Sequence, residues 1–373
     1  MIFTSSIAPL AAVCRLSPRA GFVTGLSANS AKSPSFCPII PAPSCRLFFP
    51  VTMRRSFALV LLLACAVPAF AQDTAQPEWS EIETVTVHAQ PGPALWRLTR
   101  AHASGQSAEV WVLGQVWPMP KNLTWNTAVL SEVMDGAREV LHPPRPSINF
   151  VDVAWFLLWN GGKLSLPRGQ HLESQLDDDL RRRFIAARAA VKGDAGEYGT
   201  DIPIRAAVRL QQDFMKARNF EGGQPRGKIG ELARHHKITR RAVTDFQAMD
   251  IVRDLLKLTP EQQRACLSQA VDDVLWASDH ADAAARAWAV GNVKAMKANY
   301  AESRLMNCAI GSVTRAAQAE LRNINETVTA IDAALKKGGK TIAIVNLGPL
   351  LRKGGVLEKL SAMGVTVQAP AES

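Results

Sequence analysis

The chain has 373 residues, and its 43 lysines and arginines exceed its 33 aspartates and glutamates to give a formal net charge of +10 at pH 7. Residues 1–71 contain six of the basic residues and no acidic one, so the remainder carries 37 basic against 33 acidic groups, a net charge of +4. Because the basic excess is concentrated at one end, the charge does not indicate a nucleic-acid-binding protein, and we expect no nucleic-acid partner.

A secretory signal peptide is predicted over residues 53–71. Met53-Arg54-Arg55 provides a positive start, Phe57 to Val67 an apolar run, and Ala69-Phe70-Ala71 a small-residue cleavage site. The apolar run is too short for a permanent membrane-spanning helix. We therefore expect a periplasmic or secreted protein that begins at Gln72 and has no embedded membrane span.

Residues 1–52, which precede this signal, contain no acidic residue and no sustained hydrophobic period. We interpret them as an over-extended gene start. An organelle transit peptide is the alternative, and Cys65 leaves open a lipoprotein attachment site.

The first predicted elements of the mature chain form a β-hairpin followed by a helix and a strand. Residues 72–93 are a flexible lead-in, and strands are predicted at Ala94–Thr99 and Glu109–Val116, joined across Ser104-Gly105-Gln106. A helix carries an apolar face, and the strand Glu139–His142 stops at Pro143-Pro144. The order of strand, helix and strand predicts a βαβ-like unit. The helical face consists of Leu130, Val133, Met134 and Ala137.

The middle of the chain is predicted to be nearly all helical from Gly169 to Lys337. The apolar stretch Phe150–Trp159 before it is interpreted as buried core, being too short to span a membrane. One helix should begin at Thr259, where Thr259-Pro260-Glu261-Gln262 forms a capping box. Apolar stripes mark the other helices: Leu172, Leu176, Leu180 and Phe184 in one, Ile204, Val208 and Gln211 in the next, and Leu267, Val271, Val274 and Leu275 after the capping box.

A second strand, loop, helix and strand unit closes the chain, at Thr341–Asn346, Leu347–Lys353, Gly355–Met363 and Val365–Ala369. Two such units around a helical middle predict one α/β (α+β) domain over residues 94–370, with a central sheet built from both ends. We also expect the turns at 114–117 and 348–350 to meet at the rim of that sheet.

Several local patterns suggest chemistry but lack the context for it. Gly339-Lys340-Thr341 precedes a strand and is interpreted as a turn, and Ile229–Val243 has a helix-turn-helix rhythm in an exported protein. His235 and His236 diverge by about 100° on a helix and are interpreted as surface residues. The run from Asp177 to Arg183 is interpreted as a solvated helix face. Cys266 and Cys308 could pair or stay free.

Seven short segments carry a resemblance to a known family. In this order and at these separations they resemble the TraB/GumN family, which also includes the Tiki-type metalloproteases, over residues 94–370. The segments are Ala94–Leu98, Val110–Gly114, Pro120–Trp125, Arg286–Asn292, Asn346–Leu350, Gly354–Leu357 and Gly364–Val367.

The resemblance implies a metal site with two Gly-x-x-His turns and an acidic residue at the end of an intervening strand. Here the first turn runs from Gly114 to Trp117, and the second, around Gly348, has Pro349 in the histidine position. The intervening strand ends at His142 or Pro143 instead of a carboxylate. An indole nitrogen only donates and a proline nitrogen offers no lone pair, so neither can bind a metal.

A catalytic zinc site needs three protein ligands, and at most His142 is left. We therefore predict no catalytic residue, metal or cofactor at these positions. The favoured hypothesis is a non-catalytic binding or accessory protein for an unknown peptide, glycan or protein ligand. The alternative is a metalloprotease-like hydrolase whose catalytic residues have moved. Three convergent histidine or carboxylate side chains near Trp117 would favour that alternative.

Overall fold

A computed structural model describes residues 92–101, 108–221 and 224–370. The predicted signal peptide, nearly all of the lead-in and the Ser104-Gly105-Gln106 turn lie outside these residues. The strands are β1 Leu95–Arg100, β2 Ala108–Gln115, β3 Met119–Pro120, β4 Ala137–His142, β5 Arg145–Ser147, β6 Phe220–Glu221, β7 Thr239–Ala242, β8 Asp245–Gln247, β9 Gly339–Asn346 and β10 Thr366–Gln368.

The main sheet has six strands in the order β10-β1-β2-β9-β4-β7. Strand β1 is antiparallel to both of its neighbours, whereas β2, β9, β4 and β7 are parallel to one another. Strand β9 lies between β2 and β4, so the two ends of the chain build one sheet. This confirms the predicted α/β fold with a sheet shared by the N- and C-terminal units.

Helices supply most of the remaining described structure. They are α1 Ala128–Met134, α2 Phe150–Asn160, α3 Asp178–Ala190, α4 Pro203–Ala217, α5 Gln224–His235, α6 Ala248–Leu255, α7 Pro260–Ala289, α8 Val293–Asn299, α9 Arg304–Ser312, α10 Thr314–Lys337, α11 Leu347–Leu351 and α12 Val356–Ala362. Helix α7 begins with the predicted capping box, in which the Thr259 and Gln262 side chains and backbones bond reciprocally.

Two large apolar clusters form the core. One packs helices on the main sheet and includes Trp288 and Leu347, and the other joins α3, α4 and α7 around Phe184 and Leu267. A disulfide between Cys266 of α7 and Cys308 of α9 ties the second cluster together, which resolves the alternative that the sequence left open.

Helix α2 does not form the buried core that its composition predicts. Its side chain Phe156 is buried, but Phe150 is 83% exposed and Leu158 72% exposed. A helix that is apolar all round is usually covered, yet only one face of α2 meets the rest of the described structure. None of the helices in residues 92–101, 108–221 and 224–370 has the length and apolar character needed to cross a bilayer.

Other predicted elements are corrected by long-range pairing. The second half of the helix-turn-helix-like segment is strand β7, which pairs with β4 at the edge of the sheet. Gly339-Lys340-Thr341 opens β9 instead of forming a turn, and the predicted loop after β9 contains α11. Helix α1 ends at Met134, so Ala137 begins β4 after the left-handed turn at Gly136, whose φ is 69°.

Three smaller predictions concern side-chain patterns. Leu172 and Leu176 are buried with Phe184 as predicted, but both precede α3, in and after a short 3₁₀ turn. Asp177 caps α3, and Asp178 and Asp179 pair with the three arginines that follow, which confirms the solvated helix face. His235 is exposed, whereas His236 is half-buried and bonds the Ser131 hydroxyl at 3.0 Å.

Candidate functional site

The two glycine-containing turns meet at one rim of the main sheet. Strands β2 and β9 pair in parallel register to their ends, with Gly114 opposite Val345 and Gln115 opposite Asn346. A Cβ atom at Gly114 would lie 3.1 Å from Leu347 and 3.2 Å from Leu350, so the turn after β9 packs directly on Gly114. This confirms the expected meeting of the two turns.

A cavity of about 150 Å³ opens at this rim. Its walls come from the ends of three parallel strands and from the helices packed above them. Trp117 follows β2, Pro143 follows β4, and Pro349 follows β9, and all three line the cavity. The structure therefore brings together the three positions at which the family resemblance implies metal ligands. Trp117 also lines a second, smaller cavity of about 50 Å³.

His142 does not line the larger cavity, although Pro143 beside it does. Burial, followed by the charges of the nearby cations Arg226, Arg240 and Arg145, lowers the pKa of His142 to about 4. A positively charged environment disfavours a metal cation as well as a proton. The one histidine left among the predicted positions is thus poorly placed to hold a metal.

Glu302 is one of the cavity residues that the sequence did not predict. It lies in the connection between α8 and α9, and its carboxylate rests on Gly348, where any Cβ atom would overlap it. Only glycine permits this close approach, because every other residue has a Cβ atom in the space that the carboxylate occupies. No local motif surrounds Glu302 in the sequence, so only the fold reveals its position.

An arginine between two carboxylates forms the charged part of the cavity lining. Arg352, just after α11, pairs with Glu320 of α10 and lies 3.5 Å from Glu302. Burial raises the pKa of Glu302, and the charge of Arg352 opposes that rise. Burial likewise raises the pKa of Tyr300, whose hydroxyl bonds the backbone of Gly348.

Buried polar atoms of the cavity lining that have no hydrogen-bond partner among the described residues include Glu302 Oε1, Asn323 Oδ1 and Trp117 Nε1. Buried polar groups are normally satisfied, and an unsatisfied one costs about 1 to 3 kcal/mol. Two of the three atoms are acceptors.

The donor set does not fit the metal that the family resemblance implies. Among the described residues, the cavity lining contains two carboxylates and no histidine, and both carboxylates face the Arg352 guanidinium. Within residues 92–101, 108–221 and 224–370, no group of three histidine, cysteine or acidic side chains could hold a metal ion. The arrangement that would favour a relocated metal site is therefore not found there.

The parallel strand ends and the two packed turns define an α/β protein with a cavity at the rim of its sheet. The chain belongs to the TraB/PrgY/gumN family, whose match covers residues 94–369. No curated protein and no solved structure matches the chain.

Proposed function

We propose that this protein is an exported, non-catalytic member of its family that binds a ligand in the cavity at the sheet rim. One observation carries the proposal. The three positions where the resemblance implies metal ligands line the same cavity and hold Trp117, Pro143 and Pro349. None of these side chains can donate an electron pair to a metal. These three positions therefore provide no ligand for the metal ion that metal-assisted hydrolysis requires.

One observation supports the alternative of a hydrolase with relocated residues. The Glu302 carboxyl lies in the cavity and its pKa is raised by burial, which is a common property of general acids. A lone acid without a nucleophile or an activated water does not complete a hydrolytic site, however, and the Ser303 hydroxyl in the same lining already donates to the Asp273 carboxylate at 2.9 Å.

Metal content and peptide hydrolysis test the proposal together. The purified chain is expected to hold no stoichiometric manganese, cobalt or zinc by elemental analysis, and to cleave no peptide when these metals are added. A variant with Trp117→His, Pro143→Glu and Pro349→His should gain metal, because its three new side chains face one cavity. Metal-dependent turnover by the unmodified protein would show that the proposal is wrong.

The exposed position Trp155 provides the matched control for this variant. Trp155→His adds a histidine at an exposed position of α2 that does not line the cavity, and it should bring no stoichiometric metal. A gain of metal in the triple variant without a gain of activity would agree with the proposal, since new ligands still need partners that hold them in place.

Export is tested by sequencing the N-terminus of the protein from its natural host. We expect Gln72 as the first residue, in the periplasm or the medium, because positive, apolar and cleavage segments occur in that order in residues 53–71. Arg54→Glu with Arg55→Glu should slow export and leave uncleaved precursor. A mature protein that begins before Met53 and stays in the cytoplasm would exclude this part of the proposal.

A further inference from the structure

We infer that the cavity binds a primary ammonium group attached to an apolar body, such as a small organic amine or the amino terminus of a peptide. The inference deepens the proposed function and rests on its claim that the cavity is a ligand site. It is carried by the charges, the unsatisfied atoms and the walls of the cavity.

The charges of the cavity lining do not balance. The lining contains the carboxylates of Glu302 and Glu320 and a single guanidinium, that of Arg352. With all three ionised, the cavity has one surplus negative charge. A ligand that brings one positive charge would neutralise it, whereas an anion would meet two carboxylates and a guanidinium that is already paired.

The two carboxylate oxygens of Glu302 indicate where the surplus negative charge lies. Its Oε2 faces Arg352 at 3.5 Å, while its Oε1 is buried without a hydrogen-bond partner among the described residues. Only 12% of the Glu302 side chain is exposed, so water replaces the missing donor poorly. Arg352 is also engaged by Glu320 and cannot serve both carboxylates fully.

Asn323 of α10 adds a second acceptor to the same lining. Its Oδ1 is likewise buried without a partner among the described residues. An ammonium group has three N–H donors and no acceptor, which matches a carboxylate and an amide oxygen better than a hydroxyl or a second carboxylate would. Hydrogen bonds between charged groups are also the stronger ones.

The walls indicate what the ammonium is attached to. Trp117, Phe246 and Ile310 line the cavity together with Pro143 and Pro349. Its volume of about 150 Å³ equals that of an apolar cavity that takes up benzene. Aromatic walls additionally attract a cation through the face of the ring. A six-membered ring with a short amine arm is therefore a suitable probe.

A divalent metal is the main competing cation, and the geometry disfavours it. Magnesium and calcium need several oxygen ligands, but here the two carboxylates share a guanidinium that repels a metal ion. A small monovalent ammonium needs fewer ligands, and Glu302 Oε1 and Asn323 Oδ1 have no hydrogen-bond partner among the described residues.

Three probes that share a phenyl ring test the inference on the full chain in the presence of EDTA: benzylamine, benzyl alcohol and benzoate. Isothermal titration or ligand-observed NMR should show binding in the order benzylamine, then benzyl alcohol, then benzoate. Glu302→Gln should weaken benzylamine binding about tenfold to a hundredfold and leave benzyl alcohol nearly unchanged. Glu109→Gln is the matched control, because Glu109 pairs with Arg97 near the opposite end of β2 and should change neither ligand.

The tripeptide Phe-Ala-Ala and its N-acetylated form separate the two sources of the ammonium. Tighter binding of the free tripeptide than of benzylamine identifies a peptide amino terminus, and the reverse order identifies a small amine. Either order supports the inference if acetylation abolishes binding.

Two results with the unmodified protein would overturn the inference: equal binding of benzylamine and benzoate, or no binding of benzylamine at millimolar concentration. Neither result depends on whether a variant folds. Failure of this inference can be distinguished from failure of the proposed function. Amine binding is measured in the presence of EDTA, whereas the proposed function is tested by metal content and peptide hydrolysis. Metal-dependent hydrolysis together with amine binding would overturn only the non-catalytic role.

Discussion

The indole Nε1 of Trp288 donates a 2.6 Å hydrogen bond to the backbone carbonyl oxygen of Gly114. Trp288 is 1% exposed near the end of α7, and its ring meets Trp125 edge-on at 5.2 Å. The bond joins the helical middle of the chain to the end of β2, directly before Gln115 and Trp117 enter the cavity. Three of the segments that carry the family resemblance therefore make contact at one point.

Removal of this bond should destabilise the fold. Trp288→Phe keeps an aromatic ring but leaves the buried Gly114 carbonyl without its donor, at an expected cost of about 1 to 3 kcal/mol in the free energy of unfolding. Urea unfolding at pH 7 measures it. Trp155→Phe, at a position 54% exposed on α2, is the control and should change stability by less than about 0.5 kcal/mol. Equal effects of the two changes would contradict the role given to the bond.

The contact between Gly348 and Glu302 predicts that a single added methyl group disturbs the cavity. Gly348→Ala would place its Cβ atom against the Glu302 carboxylate, which must then move away from its present position. We expect a loss of about 1 to 3 kcal/mol from this overpacking, measured by urea unfolding, and partial recovery when Glu302→Ala is added.

Gly311 provides the comparison for that prediction. It lies in α9 with no atom near its Cβ position, so Gly311→Ala should be neutral or stabilising by up to about 1 kcal/mol. A Gly348→Ala protein as stable as the unmodified one would show that Glu302 moves freely and that the close approach has no energetic role.

His142 predicts a pH dependence of stability. Its pKa falls from 6.5 to about 4 in the folded protein, first because of burial and then because of the neighbouring arginines. Between pH 6.5 and 4 the unfolded chain binds the extra proton, so His142 makes the fold less stable as the pH falls through this window. Because the ring is partly exposed, we expect about 1 to 2 kcal/mol after solvent screening.

The difference between the unmodified protein and His142→Gln isolates this effect. Asp273 acts in the opposite direction, since burial raises its pKa from 3.8 to about 6 and its ionisation disfavours the fold as the pH rises through that range. As the pH falls from 7 to 4, the unmodified protein should lose about 1 to 2 kcal/mol more stability than His142→Gln. His235→Gln, at an exposed position, should leave the curve unchanged, and parallel curves for His142→Gln would contradict the assignment.

The Cys266–Cys308 disulfide should contribute measurably to stability. It closes a loop across 42 positions, and replacing both residues by alanine should cost about 2 to 4 kcal/mol, chiefly through the greater freedom of the unfolded chain. Thermal and urea unfolding with and without dithiothreitol provide the measurement. The double variant should be insensitive to the reductant, and an unmodified protein equally insensitive to it would indicate that the two thiols are not bonded.

The sequence alone determined the elements whose signals are local. Alternation and prolines marked β1, β2 and β4, and the capping box marked the start of α7, because these patterns depend on neighbours a few residues away. The ordered segments from Ala94 to Val367 likewise identified the family and the positions Trp117, Pro143 and Pro349. That these three side chains cannot bind a metal follows from the residue types alone.

Only the tertiary structure decided which surfaces are covered and which distant groups meet. Helix α2 has the composition of a core helix, but the described structure packs against only one of its faces. Strand β7 lies in a segment with helical rhythm and is extended because it completes a ladder on β4. Glu302, Asn323 and Arg352 come from three separate connections and helices, and they share a cavity because β9 inserts between β2 and β4. Such long-range pairing produces no periodic pattern in the sequence around the residues that it brings together.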